Sequence, residues 1–371
     1  MSQPSGSHRQ IPVVVLAGFL GSGKTTLLNH LLHRSGGSRI GALVNDFGAI
    51  EIDAMAVAGA LGDSTVSLGN GCLCCAVDVG ELDQYLSRLA HPDTGIDVIV
   101  IEASGLAEPQ ELVRMVLASE QPGIVYGGLV EVVDAAEFDD TRARHPEIDR
   151  HLALADLVVV NKLDRAAPQD TERVLALVQR LVARAAVVPA TYGRIDPEFL
   201  FDCRPAEERI GQLSFDDLHD DHGHGDHHAG HLHSGYDSLS FASEEPLDPR
   251  RLMTFLDSRP EGLYRIKGYV DFGPYDVRNR YAVHAVGRFL RFYPEVWAPG
   301  DARLTQLVLI GSGIDAPALG KELEACKADK GTPHADGNAP HPTRNAPHPD
   351  EAGMWGVLRY VQGPDEQDPD F

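Results

Sequence analysis

One stretch near the N-terminus constrains this chain more than any other. Residues 13–26 read Val-Val-Val-Leu-Ala-Gly-Phe-Leu-Gly-Ser-Gly-Lys-Thr-Thr. Val13 to Ala17 is an unbroken apolar run, the pattern of a strand buried on both faces. Gly18, Gly21 and Gly23 with Lys24 and Thr25 then spell G-x-x-x-x-G-K-T, the phosphate-binding loop pattern. Leu27, Leu28, Leu31 and Leu32 recur at helical spacing, so the motif lies between a buried strand and a helix N-terminus. Glycines let the backbone turn tightly and show its N–H groups to phosphate oxygens, and the helix end adds partial positive charge. Gly21, Ser22, Gly23, Lys24, Thr25 and Thr26 are therefore the candidate cradle. Lys24 would bridge the β- and γ-phosphates, and the Thr25 hydroxyl would hold Mg²⁺. A glycine-rich turn with an incidental lysine is the plainer reading, and the strand–loop–helix context argues against it.

Further motifs follow at the ends of further apolar runs. Arg39 to Val44 reads as a second strand leading into Asn45-Asp46-Phe47-Gly48 and then Glu51-Ile52-Asp53. That segment is either a switch, with Asp53 a candidate contact to Mg²⁺, or an ordinary polar turn. Thr65 to Leu68 reads as another strand before Gly69-Asn-Gly-Cys-Leu-Cys-Cys75. Cys72, Cys74 and Cys75 on a glycine-flanked turn can converge on one ion, and thiolates select zinc and other thiophilic metals. Buried structural cysteines are the alternative. Asp97 to Ile101 ends in Glu102, which would hold a Mg²⁺-bound water, with the Gly105 N–H in reach of a γ-phosphate. Gly127 to Val133 ends at Asp134. Leu157 to Val160 runs into Asn161-Lys162-Leu163-Asp164, the N-K-x-D guanine-reading pattern. Asp164 would accept from the base N1 and 2-amino groups, donors that adenine lacks. Lys162 would pack along the base, and Asn161 would tie its loop to the phosphate loop. A helix is expected to about Ala185, then a strand over Val187 to Ala190, with Thr191-Tyr192-Gly193 a last contact to the base.

This alternation through about residue 200 predicts a doubly wound, mostly parallel α/β sheet. The predicted organisation is a polar N-terminus over 1–10, a nucleotide domain over 11–200, a linker over 201–236, an α+β domain over 237–326 and a Pro/His-rich tail over 327–371. The linker carries seven histidines between His219 and His233 and no apolar periodicity. In the second domain Arg250 to Leu256 and Ala316 to Cys326 read as helices. Gly262 to Val270, Arg280 to Val286 and Leu304 to Ile310 read as strands. Trp297 reads as core or interface. In the tail, His334, His341 and His348 recur every seven residues beside prolines that forbid a continuous helix. Met354 to Val361 reads as an added strand or a docking peptide.

Composition narrows the function classes. The formal net charge of −23 argues against a nucleic-acid-binding surface, which needs clustered Lys and Arg. No apolar stretch approaches the ~20 residues of a membrane span, and the first ten residues lack the apolar core of a secretory signal, so the cytoplasm is the expected compartment. Five cysteines, three of them within four residues, suit reduced thiols and metal binding better than a disulfide framework.

In order along the chain, Gly18 to Thr26, Gly71-Cys-Leu-Cys-Cys75, Glu102-Ala-Ser-Gly-Leu-Ala-Glu-Pro109 and Asn161-Lys-Leu-Asp164 resemble the CobW-like family of P-loop GTPases. These are relatives of the nickel-insertion GTPases of hydrogenase and urease maturation. Arg265-Ile-Lys-Gly268, Trp297 and Ile310-Gly311 resemble that family's C-terminal domain. The resemblance covers about residues 11 to 326. It implies a P-loop NTPase fold, GTP hydrolysis with Mg²⁺, and metal delivery, with the three cysteines in the transfer site. The family includes zinc chaperones, a cobalt protein of cobalamin synthesis and activators of nitrile hydratase. Where relatives often carry a glutamate after Phe-Gly, this chain has Ala49, so a carboxylate ligand there is absent.

The expected function is thus a GTP-hydrolysing metallochaperone for Zn²⁺ or Co²⁺, with a client metalloprotein as partner and a homodimer as an open assembly. The other reading is a metal-storage or metal-sensing protein that uses its histidine tracts and takes GTP as a regulatory ligand.

Overall fold

The computed structural model describes residues 10–44, 79–182, 184–202, 236–298, 300–329 and 351–361. They fall into two compact units.

The first unit is a six-stranded sheet flanked by helices. Its strands are β1 (Ile11–Ala17), β2 (Ile40–Val44), β3 (Val98–Glu102), β4 (Ile124–Asp134), β5 (Leu157–Asn161) and β6 (Ala186–Pro189), in the order β2-β3-β1-β4-β5-β6. The β2–β3, β3–β1, β1–β4 and β4–β5 pairs are all parallel. β2, β3 and β5 are buried along their full length, which is why their sequences are continuous Val/Ile/Leu runs rather than alternating ones. The connecting helices are α1 (Lys24–His33), α2 (Val79–Leu89), α3 (Pro109–Leu117), α4 (Phe138–Arg144), α5 (Glu147–Leu154) and α6 (Pro168–Leu181). α1 buries Leu27, Leu28, Leu31 and Leu32, its apolar stripe. β1 is central: from it the chain crosses to β2 at the sheet edge, returns to β3 between β2 and β1, and then passes to β4, β5 and β6 on the other side. The crevice beyond the carboxyl ends of such strands is where ligands bind in open α/β sheets.

The second unit is a five-stranded antiparallel sheet, order β10-β9-β8-β11-β7, built from β7 (Asp237–Ser243), β8 (Leu263–Val270), β9 (Asn279–Val286), β10 (Phe289–Val296) and β11 (Thr305–Gly311). Here the strands alternate: Tyr281, Val283 and Ala285 of β9 and Leu290 and Phe292 of β10 enter the core. Three helices complete that core, α7 (Pro249–Asp257), α8 (Ala316–Ala325) and α9 (Glu351–Leu358). α7 starts with Pro249 at its first position behind Asp248, whose Oδ1 accepts from the Arg250 and Arg251 N–H groups at 2.9 and 3.1 Å.

The structure departs from the sequence reading in three ways. β7 and β10 carry no continuous apolar run and were not expected as strands. The stretch expected as an added strand or docking peptide is the helix α9, whose Met354 and Val357 are 3% and 0% exposed in the core of the second unit. Only its last residue, Val361, bridges to a strand, beside Phe292. The third is the helix expected to reach Ala185, which ends at Leu181.

Candidate nucleotide site

The phosphate-loop backbone has the conformation its glycines allow. Gly18, Gly21 and Gly23 have φ of 143°, 78° and 103°. A Cβ on Gly18 would collide with the Val132 carbonyl, and one on Gly23 with the Asn161 amide. Gly23 is also the N-cap of α1 and offers no side chain to the helix's first N–H groups, while no acidic side chain stands in the first turn. The loop thus ends on uncapped donors and partial positive charge, the requirement for an anion.

Lys24 is 7% exposed, and its Nζ donates to the carbonyls of Gly18 at 2.9 Å and Phe19 at 3.4 Å. The ammonium is thereby folded into the concave side of its own loop. The Thr25 hydroxyl donates to Glu102 Oε1 at 2.7 Å. Glu102 ends β3 in register with Leu16 of β1 and Val44 of β2, so three adjacent strands set its position. Glu102 is 5% exposed. A hydroxyl and a buried carboxylate 2.7 Å apart are hard oxygen donors of the kind Mg²⁺ takes beside phosphates, so the residues present fit that ion. A Cβ on Gly105 would meet the Leu20 backbone, so the segment after β3 packs directly on the phosphate loop.

Asn161, 1% exposed at the end of β5, joins three segments. Its Nδ2 donates to the Ser22 carbonyl at 3.0 Å, and its Oδ1 accepts from the Gly193 N–H at 2.8 Å. Lys162 has φ 61°, a left-handed conformation unusual for a non-glycine residue. That geometry turns its Nζ back to the Gly21 carbonyl and to Asp134 Oδ2, the latter at 2.8 Å. The Leu163 N–H bonds to the Ala190 carbonyl at 3.3 Å, which brings exposed Asp164 beside the 191–193 loop. Gly21 to Thr26, Glu102, Gly105 and Asn161 to Asp164 therefore share one end of the sheet.

Asp53, Cys72, Cys74 and Cys75 lie outside the described residues. So do Cys203, Ala49 and the histidine tracts. Among the described residues no group of three or more His, Cys, Asp and Glu side chains could hold a metal ion. Cys326 is buried in the second unit, with its thiol pushed up to about 11 by burial, the state of a packed cysteine rather than a ligand. No helix among the described residues is long and apolar enough to cross a membrane.

Two acidic residues of β4 were missed as site residues. Asp134 anchors Lys162. Glu131, 2% exposed, stands opposite Ala17 just before the loop begins, and burial pushes its carboxyl up to about 8 against the pull of Lys24. The signal for Glu131 was available, since a lone charged residue interrupts the apolar run Leu129–Val133.

Comparison with known proteins identifies relatives of both units. Residues 12–189 match the CobW/HypB/UreG nucleotide-binding domain, and residues 236–327 match the cobalamin synthesis protein cobW C-terminal domain. The chain is 33% identical over 364 residues to the zinc chaperone CobW of Pseudomonas aeruginosa, an alignment covering 88% of this chain and 94% of that one. It is 28% identical to a zinc chaperone CobW of Sinorhizobium, covering 84% and 95%. Among solved structures, Zn(II)-bound YjiA GTPase from Escherichia coli aligns with 22% identity and a TM-score of 0.40, over 86% of this chain and all of that one. With both domain models matched in order and a relative aligned nearly end to end, the chain belongs to the CobW/HypB/UreG family.

Proposed function

We propose that this protein is a GTP-hydrolysing metallochaperone that binds zinc, or cobalt in its place, and delivers it to a client metalloprotein. The observation that carries the nucleotide half is the joining of the phosphate loop to the N-K-x-D loop through Asn161 and Lys162, which makes one site of two motifs 140 residues apart in sequence. GTP lies on Gly21 to Thr26 with its base at Asp164. Lys24 and the helix N-terminus neutralise charge on the transferring phosphoryl group; Thr25 would hold Mg²⁺ and Glu102 a water bound to it, and the ion would supply further charge neutralisation there. The metal half rests on Cys72, Cys74 and Cys75 as the cargo ligands, and the zinc chaperone name of the Pseudomonas relative supports it. Asp53 is a further Mg²⁺ candidate. The cytoplasm is the compartment and a homodimer the assembly left open by this reading, with neither nucleic acid nor membrane as a partner.

The test is a competition titration of Zn²⁺ and Co²⁺ into the full-length protein and its triple Cys72/Cys74/Cys75→Ser variant, with Mg²⁺ plus either a non-hydrolysable GTP analogue or GDP. One tight site lost in the variant, and weaker with GDP than with the analogue, is the expected result. Reciprocity requires the metal to shift nucleotide affinity by the same factor. Equal metal affinity in both nucleotide states refutes the coupling. Tight binding that survives in the variant moves the function to the histidine tracts and to metal storage.

A further inference from the structure

A cavity of about 350 Å³ lies beside the phosphate loop, walled by Phe19, Leu20, Val132, Phe138 and Ile148. Glu131 and Ser22 also line it, each 2% exposed. Glu131 Oε2 and Ser22 Oγ have no hydrogen-bond partner among the described residues. A buried carboxylate is stable only with a partner for its charge or with a proton in its place. Lys24, the residue the nucleotide reading assigns to the phosphates, pulls on that carboxyl electrostatically. The remaining charged groups that line the same cavity are Asp134 on β4 itself, Glu137 and Arg144 at α4, and Lys162 and Arg165 after β5. Lys162 is held by Asp134 and the Gly21 carbonyl, and the Glu137, Arg144 and Arg165 side chains are exposed.

We propose that Glu131 is a positioning residue of the phosphate site, leaving the charge of Lys24 to a bound polyphosphate only while its own carboxyl holds a proton. The inference rests on the nucleotide reading above and deepens it. An ionised Glu131 acts twice against a nucleotide: it draws on Lys24 from below the loop, and it adds negative charge beneath the phosphates. A bound polyphosphate does the reverse to Glu131, because it engages Lys24 and brings its own negative charge. Binding is therefore linked to proton uptake by Glu131. Burial supports this by holding the carboxyl at about 8, so that the proton is mostly in place at neutral pH and is lost just above it. The sign follows: affinity is full below that value and falls as pH rises through it.

The test uses the full chain and Glu131→Gln, which keeps the shape and cannot ionise. GDP without divalent ions is the probe, and affinity is measured from pH 7 to pH 9.5. Calorimetry at pH 8, in two buffers of different ionisation heat, counts protons. Over the last pH unit, from 8.5 to 9.5, the wild-type affinity falls by up to about ten-fold relative to the variant, the limit per pH unit for one ionisation. Guanine itself loses its N1 proton in alkaline solution, a loss both proteins share, so the ratio isolates Glu131. At pH 8 the wild type takes up roughly half a proton per GDP and the variant none. A merely structural Glu131 would lower stability without changing either readout. If the two proteins share one pH profile, or if the wild type takes up no proton, the proposal fails while the nucleotide reading stands. The proton count needs the wild type alone, so it decides the matter even where the variant does not fold. Absence of GDP binding at every pH refutes the nucleotide reading and this one with it.

Discussion

Asn161→Asp is an isosteric change that tests how the site is held together. The wild-type amide donates to the Ser22 carbonyl at 3.0 Å and accepts from the Gly193 N–H at 2.8 Å, with all three residues buried. Aspartate keeps the second bond. It replaces the first by an oxygen facing an oxygen in a buried site. The loss has two parts: one buried hydrogen bond, about 1 kcal/mol, and one buried carbonyl left without its donor, about 1–3 kcal/mol. The expected cost at pH 8 is about 2–4 kcal/mol. Because two compact units need not unfold together, the amide exchange of β1 and β5 reads the first unit alone, and the cost appears there as roughly a 30- to 1000-fold faster exchange. The cost also depends on pH with a definite sign. Burial and the facing carbonyl raise the folded-state pKa of the new carboxyl above its unfolded value. A protonated aspartic acid can donate to the Ser22 carbonyl again, so the penalty shrinks as pH falls toward the ordinary carboxylate range and grows as it rises. An Asn161→Asp protein as protected as the wild type at pH 8, or one whose loss is the same at pH 5 and pH 8, refutes this account of the clamp.

Two further outcomes follow from the same structure. Thr25→Ala removes the hydroxyl that donates to buried Glu102, so it should lower thermal stability by about 1–3 kcal/mol and abolish Mg²⁺-dependent tightening of nucleotide, while Thr25→Ser keeps both; a Thr25→Ala protein with unaltered Mg²⁺ dependence would break the link between Thr25 and the ion. Met354→Ala opens a cavity under α9 in the second unit and should cost about 2–4 kcal/mol, read as a lower urea midpoint by the fluorescence of exposed Trp355 on the same helix; an unmoved midpoint would show that α9 contributes little to that core.

Much of the first unit was legible because parallel strands buried on both faces must be written as unbroken apolar runs, and β1, β2, β3 and β5 are. The second unit was less so. β10 reads Phe-Leu-Arg-Phe-Tyr-Pro-Glu-Val, and its strand character lies in period-two burial that a half-open sheet face dilutes with Arg, Tyr and Glu. β7, Asp-Ser-Leu-Ser-Phe-Ala-Ser, is an edge strand with few apolar residues to announce it. The α9 segment was misread for a different reason. Eight residues containing two glycines have low helix propensity, and the helix exists because Met354 and Val357 are buried against the second unit.

The sequence by itself determined that a glycine-rich turn joins a buried strand to a helix, since an unbroken apolar run precedes Gly18, Gly21 and Gly23 and leucines at helical spacing follow them. It also determined the order of the remaining motifs and the class of sheet. Only the tertiary structure decided which side chains complete the site. That Thr25 meets Glu102, that Asn161 reaches both Ser22 and Gly193, and that Lys162 folds back to Gly21 depend on strand register and on one left-handed residue. The burial of Glu131 beside Lys24 was likewise a matter of tertiary structure. Charge, size and hydrophobicity are properties of a residue, but the dielectric around a carboxyl and the identity of its neighbours are set by what the fold packs against it, and those decide whether it carries a charge or a proton.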